Sequence, residues 1–387
     1  MRIPRTLALV LAGGAGSRLS CLTQRRPKPV LPMGGTYRLI DIALSNLAHS
    51  HITDVGLVEQ YLPRQLNDYL SAGRPWDLDR NHGGLQVLPP FEGGSGAGFA
   101  SGNADSMHRQ RDFIRDSGCE LVLVLSADHL YTMNFLEAIS THLDARADLT
   151  IVTTRVDERA DRYGVVTVDD RGRVTGFDYK PDEPAGNLVA TEVFVYDAAV
   201  LLETMEALAA DGELADFGHE LVPWLVENRR VVEHRHHGYW IDVGTIQSYW
   251  TANLQLLDGD GVRLDDPTWA IWSAQPQLPP ARVATGASVS DSFLSSGSTV
   301  EGTVEHSVIG TNAVVEAGAV VRDSVLLDGV RVSAGVELRN CVVDIGATVS
   351  GGSTRGSEGV ITLINSDGVI DRRETMNTEA TLPRGFA

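Results

Sequence analysis

Short aliphatic runs alternate with longer amphipathic stretches over the first two-thirds of the chain. Leu7–Leu11, Asp54–Val58, Leu121–Leu125, Leu149–Val152 and Val193–Tyr196 read as strands, with helical patterns between them. Such alternation predicts βαβ units and a mostly parallel sheet covered by helices, over residues 1–255. The first strand runs directly into a glycine-rich loop, which places the first βα turn at the ligand edge of that sheet. Residues 256–282, rich in Asp, Pro and Trp without a clear period, read as a linker.

The period changes at about residue 283. Val308, Val314, Val320, Leu326, Val332 and Leu338 recur every six residues, and Val330, Val336 and Val342 keep a second register of the same length. Six fits neither an amphipathic helix nor an alternating strand. It predicts a left-handed parallel β-helix over 283–350, each face giving one inward aliphatic per repeat. Solenoids of this kind normally bury an edge against another subunit, so a homo-oligomer, dimer or tetramer, is expected. Residues 351–387 lose the repeat and carry no assignment.

Charge narrows the function. The 387 residues carry a formal net charge of −19, which argues against nucleic-acid binding, since that needs a basic surface. No run of 18 apolar residues is present, so no membrane span is expected. The N-terminus shows no signal-peptide pattern. Cys21, Cys119 and Cys341 are widely spaced and form no CxxC pair, which suits a reducing cytoplasm. Lysine occurs only as Lys28 and Lys180, arginine supplying every other permanent positive side chain. Both lysines sit beside prolines, in Arg26-Pro27-Lys28-Pro29 and Tyr179-Lys180-Pro181. They mark positions where a compact ammonium does what a planar guanidinium cannot.

The loop Leu11-Ala12-Gly13-Gly14-Ala15-Gly16-Ser17-Arg18 lets backbone N–H groups approach phosphates, with a following helix N-terminus adding its dipole and Arg18 adding charge. Its spacing is not that of the dinucleotide-binding fingerprint. His234, His236 and His237 are too close together for a tetrahedral zinc site and read as surface or rim residues.

Residues 7–46, with LVLAGGAGSRL, RRPKPVLPMGG and TYRLIDIALSN, resemble the N-terminus of the glucose-1-phosphate adenylyltransferase family. The likeness continues through Gly102-Asn103-Ala104-Asp105, Ser126-Ala127-Asp128-His129-Leu130-Tyr131, Asp216-Phe217-Gly218 and Tyr239-Trp240-Ile241-Asp242-Val243-Gly244-Thr245. The family also carries a C-terminal left-handed β-helix, so the resemblance spans nearly the whole chain. It implies a Rossmann-like nucleotidyltransferase that joins a nucleoside monophosphate from an NTP to a hexose-like 1-phosphate and releases pyrophosphate. It further implies that Arg18, Lys28 and Asp128 are catalytic, and that Asp128 and Asp242 hold Mg2+. Leu11, Ala12, Gly13, Gly14, Gly102 and Asp105 would bind the nucleotide; Tyr179, Lys180, Glu192 and Asp216 the sugar phosphate.

Several positions leave the family pattern. Where the family reads adenine with a glutamine-bearing segment, this chain has Leu88-Pro89-Pro90-Phe91-Glu92-Gly93. A carboxylate such as Glu92 accepts both pairing-edge donors of guanine, which favours GTP over ATP. Tyr179 stands for the family's acid before Lys180, Glu192 for a glycine, and Ile241 for an arginine. Two of these changes lie around the sugar pocket rather than the phosphates. They resemble what a valienol-1-phosphate guanylyltransferase, a divergent relative acting on a cyclitol in aminocyclitol antibiotic biosynthesis, would need. The alternatives are ordinary adenylyl transfer to glucose 1-phosphate and a non-catalytic regulatory subunit. Retention of Gly13, Gly14, Arg18, Lys28, Asp128, Lys180 and Asp242 speaks against the latter.

Overall fold

A computed structural model describes residues 4–13, 16–90, 100–157, 160–212, 214–352 and 354–377. The strand Thr6–Ala12 lies between Asp54–Glu59 and Leu121–Ser126, parallel to both, and Gly84–Leu88 extends the parallel half outward. Its side chains alternate between two apolar layers: Ala8, Val10 and Ala12 pack on one face, Leu7 and Leu9 on the other. A strand with both faces covered in this way must be nearly all aliphatic, which is why it reads as a continuous run.

The second half of the sheet is largely antiparallel. Leu188–Asp197 pairs with Leu121–Ser126 on one side and Leu149–Arg155 on the other, and Val231–Arg235 lies parallel beyond the latter. Its register shifts between Ala190 and Phe194, and within that bulge Glu192 has φ +57°. All five expected strands are present, each one to six residues longer than its aliphatic run.

A short antiparallel pair governs the site. His129–Tyr131 pairs with Trp240–Asp242 in a register that sets Asp242 opposite His129. Segments more than 100 residues apart thereby bring their carboxylates, Asp128 and Asp242, to one point.

The C-terminal region forms three parallel sheets of two- and three-residue strands joined by tight turns, the arrangement of a left-handed β-helix. Equivalent strand positions are mostly 17 residues apart, as in Val308↔Val325↔Val342 and Ile309↔Leu326↔Val343. A strict six-residue count therefore slips. Val314 and Val320 are only half-buried, whereas Val315 and Val321 fill the interior. One side of each such coil is a residue shorter than the six-residue rule allows.

On the short side the alternation serves two cores. Ile309, Leu326 and Val343 point into the β-helix, while Val308, Val325 and Val342 pack against Leu22, Met33 and Tyr249 of the first region. Two ion pairs fasten the same junction, Arg26–Asp344 at 2.5 Å and Arg38–Asp328 at 2.7 Å. Residues 354–377, after the repeat, add further strands to the β-helix sheets. Val360–Ile364 continues the third sheet, turns back through Ile370–Thr375, and Asp371 accepts a hydrogen bond from Ser20 Oγ. Between the two regions, Trp269 and Trp272 flank His49, and Trp269 Nε1 donates to Asn46.

Candidate active site

The glycine-rich loop begins at the C-terminal edge of Thr6–Ala12, where Gly13 touches Gln60; a Cβ there would lie 2.8 Å from Gln60 Oε1. Gly16, at φ +61°, starts the next turn, and Thr23 Oγ1 donates to its carbonyl at 2.8 Å. No long helix follows. The chain makes a three-residue 3₁₀ turn, Ser17–Leu19, and a four-residue helix, Cys21–Gln24, separated by Ser20 at φ +52°. The expected helix dipole is thus reduced to that of single turns, and side-chain cations must supply the positive field.

Pro27 is extended and Lys28–Val30 forms a buried turn that aims the Lys28 ammonium between the two aspartates. Lys28 Nζ lies 2.7 Å from Asp128 Oδ2 and 3.1 Å from Asp242 Oδ1. His129 Nε2 stands 3.6 Å from Asp128 and 3.7 Å from Asp242, and its Nδ1 faces the Thr191 carbonyl at 3.1 Å. Ser126 Oγ donates to Asp128. Burial pushes both carboxyls up, but the Lys28 ammonium more than offsets it and holds each below the ordinary carboxylate range. Burial likewise disfavours charge on Lys28, yet the two carboxylates raise its pKa. All three groups are therefore charged at neutral pH.

Two cavities meet at Asp128 and Glu192. One, of about 250 Å³, is lined by Leu11, Ala12, Gly13, Gln60, Asn103, Ser106 and Phe217, and a neighbouring one of about 260 Å³ continues past Gln60 to Tyr61, Pro89, Pro90 and Arg109. The other, of about 110 Å³, is lined by Arg18, Lys28, His129, Arg162, Tyr179, Lys180 and Asp242. Both lysines of the chain face this second cavity. Tyr179 forms one wall, packed on Phe177, Phe217 and His219, and its hydroxyl accepts from Lys180 Nζ at 2.8 Å. Lys180 takes φ +50°, a second strained side-chain-bearing position in this wall beside Glu192.

Some residues expected at the site are turned elsewhere. Asp105 accepts from the Ser101 N–H and pairs with Arg109, while Asn103 and Ser106 of the same helix reach the cavity. Gly102 packs on the Ala215 carbonyl, and Asp216 caps the turn at Phe217 by accepting from the Gly218 N–H at 2.7 Å. Ile241 is buried in the apolar junction, away from the cleft. Gly14 and Glu92 lie outside the described residues. His234 and His236 are half-buried and bonded to Thr141 and the Tyr239 carbonyl. Among the described residues no group of three or more His, Cys, Asp or Glu is placed to hold a metal.

Three contributors were not named as site residues from the sequence. Gln60 follows a strand but sits in no glycine- or charge-rich motif; its amide donates to Ser106 Oγ. Arg162 lies in an ordinary acidic and basic stretch, and its Nη2 is buried without a hydrogen-bond partner at the edge of the second cavity. His129 could have been found from its place beside Asp128.

A nucleotidyl transferase family model matches residues 7–259, and a GlmU-like C-terminal hexapeptide model matches 279–359. Glucose-1-phosphate adenylyltransferases of Bacillus mycoides (strain KBAB4) and Bacillus anthracis are each 37% identical over 374 residues, covering 96% of this chain and 95% of theirs. That of Bacillus cytotoxicus is 36% identical over 356 residues, covering 91% and 95%. With a nucleotidyl transferase match over residues 7–259 and relatives 37% identical across 96% of its length, the chain belongs to the glucose-1-phosphate adenylyltransferase family of nucleotidyl transferases.

Proposed function

We propose that this chain condenses an NTP with a hexose-like 1-phosphate to give a nucleoside diphosphate sugar and pyrophosphate. The observation that carries this reading is the Lys28 ammonium set between Asp128 and Asp242 where the two cavities meet. The larger cavities, beside the glycine loop and Gln60, suit the nucleotide. The smaller, with Arg18, Arg162 and Lys180 on its wall, suits a sugar phosphate. The unpaired Arg162 Nη2 is a ready ligand for the 1-phosphate.

Asp128 and Asp242 fit Mg2+, which takes hard oxygen ligands and commonly binds through one or two carboxylates plus substrate phosphates. That they already hold one cationic atom within 3.1 Å shows that their oxygens converge on a cation-sized point. The ion, when bound, would neutralise phosphate charge. The chain's own part is to hold both substrates end to end, with Lys28 and Arg18 offsetting phosphate repulsion and no covalent nucleophile needed.

The finer reading is GTP as donor and a cyclitol such as valienol 1-phosphate as acceptor. Tyr179 and Glu192, which depart from the family pattern, both line the smaller cavity, which supports an altered acceptor. The base preference rests on Glu92 alone. The names of the Bacillus relatives favour a second reading, ATP with glucose 1-phosphate. A cytoplasmic homo-oligomer suits the three unpaired thiols and the β-helix. The test is pyrophosphate release from ATP, GTP, UTP and dTTP, crossed with glucose 1-phosphate and valienol 1-phosphate. GTP turnover confined to the cyclitol phosphate supports the first reading; rapid ATP turnover with glucose 1-phosphate establishes the second.

A further inference from the structure

Glu192 sits in the cleft with no hydrogen-bond partner among the described residues. Its nearest nitrogen in an ion pair is His129 Nε2, at 3.9 Å, and it accepts no hydrogen bond from any described residue. The nearby Lys180 ammonium is engaged by the Tyr179 hydroxyl. The backbone holds Glu192 at φ +57°, in the left-handed region that favours glycine, inside a bulge that interrupts the pairing of two central strands. A non-glycine residue costs stability there.

The charge is the informative part. This site must take two phosphate-bearing substrates, and a third carboxylate beside Asp128 and Asp242 opposes both. Sugar hydroxyls can be read by an amide or a backbone carbonyl with no such penalty. An ionised carboxylate is favoured when the acceptor brings a positive charge to it. The smaller cavity has the matching polarity: Arg18, Arg162 and Lys180 for a phosphate, Glu192 for a cation.

We infer that Glu192 selects the acceptor, and that the acceptor is a hexose-like or cyclitol 1-phosphate whose ring carries a protonated amine. The inference rests on the reading of this cavity as the acceptor pocket, and it replaces the valienol 1-phosphate of that reading, whose ring carries no charge, with an amine-bearing acceptor. The amine donates to the Glu192 carboxylate while the phosphate is held by the cationic wall.

The experiment compares glucose 1-phosphate with the 2-, 3-, 4- and 6-amino-deoxyglucose 1-phosphates, at a pH where the amines are protonated. The readout is kcat/KM for pyrophosphate release with the best NTP. A charge-assisted hydrogen bond predicts that one amino sugar exceeds glucose 1-phosphate by about 10- to 100-fold. The ratio should collapse toward one in both Glu192→Gln and Glu192→Gly. The glycine variant also suits the φ +57° backbone, so it guards against a folding defect. Glucose 1-phosphate equal to or better than all four amino sugars overturns the inference, as does an amino-sugar advantage that survives both substitutions. Failure of every sugar phosphate to release pyrophosphate from any NTP would instead remove the acceptor-pocket reading itself, and the inference with it.

Discussion

The Lys28 ammonium stands 2.7 Å from the Asp128 carboxylate and 3.1 Å from that of Asp242, a buried cation bridging two anions supplied by distant parts of the chain. Lys28→Met leaves those carboxylates facing each other. Their pKa values must then rise, because burial and mutual repulsion lose the counterion that outweighed them. The expected result is a kcat lower by about 10²- to 10³-fold, with the acid limb of the kcat/KM profile moved to higher pH. An unmoved acid limb would show that these carboxylates do not set it. Lys28→Arg should rescue little, since a planar fork does not fit between two carboxylates that converge on one nitrogen.

The Arg26–Asp344 pair joins the catalytic region to the β-helix and is almost fully buried, with side-chain exposures of 10% and 4%. Removing one partner strands the other charge. Arg26→Met should therefore destabilise the chain by about 3–5 kcal/mol, whereas Arg26→Met with Asp344→Leu should recover most of the loss. Thermal unfolding of the three proteins decides this. Equal melting temperatures would show that this pair adds nothing to the strength of the junction.

The sequence showed those parts of the site that lie in short, chemically distinctive segments. The glycine loop, Lys28 between two prolines, and Asp128 at a strand end each carry their own local signal. Asp242 was legible through its motif, but its convergence on Asp128 depends on the register of a three-residue strand pair, which no local pattern encodes. Arg162 and Gln60 have unremarkable neighbours and became visible only when folding set them on the cavity walls. The β-helix was plain from its period. Its inward register was not, because one five-residue side per coil shifts a strict six-residue count.

Glu59, at the end of its strand, is 1% exposed; one carboxylate oxygen accepts from Asn67 Nδ2 at 3.1 Å and the other has no partner. Burial raises its pKa from an ordinary 4.5 to about 7. The folded state thus holds a proton that the unfolded chain releases. The stability contributed is fully present below the unfolded value and is lost as pH rises through about 7. Glu59→Gln has no such proton to lose. Its advantage over the parent chain should grow from about pH 4.5 to about 7 and then level off, at on the order of 1–3 kcal/mol. Melting temperatures of the two proteins across that range would show parallel curves if Glu59 titrates normally.

Gly218 lies against the ring of Tyr179, so that a Cβ added there would overlap it. The ring cannot retreat easily, because Phe177 stacks beside it at 6.5 Å and His219 meets its face at 4.8 Å. Gly218→Ala should therefore push Tyr179 toward the smaller cavity, where Lys180 depends on its hydroxyl. Overpacking of this kind costs about 1–3 kcal/mol in a rigid wall. In this wall it should fall on acceptor binding, lowering kcat/KM for the sugar phosphate by about 10- to 100-fold. The KM for the NTP should change far less, since Gly13 and Gln60 lie on the other side of Asp128. Adding Tyr179→Ala to Gly218→Ala should do no further harm if the clash acts through the ring. A large additional loss would mean that Tyr179 keeps its place in Gly218→Ala and that the strain is absorbed by the Phe217–Leu221 turn.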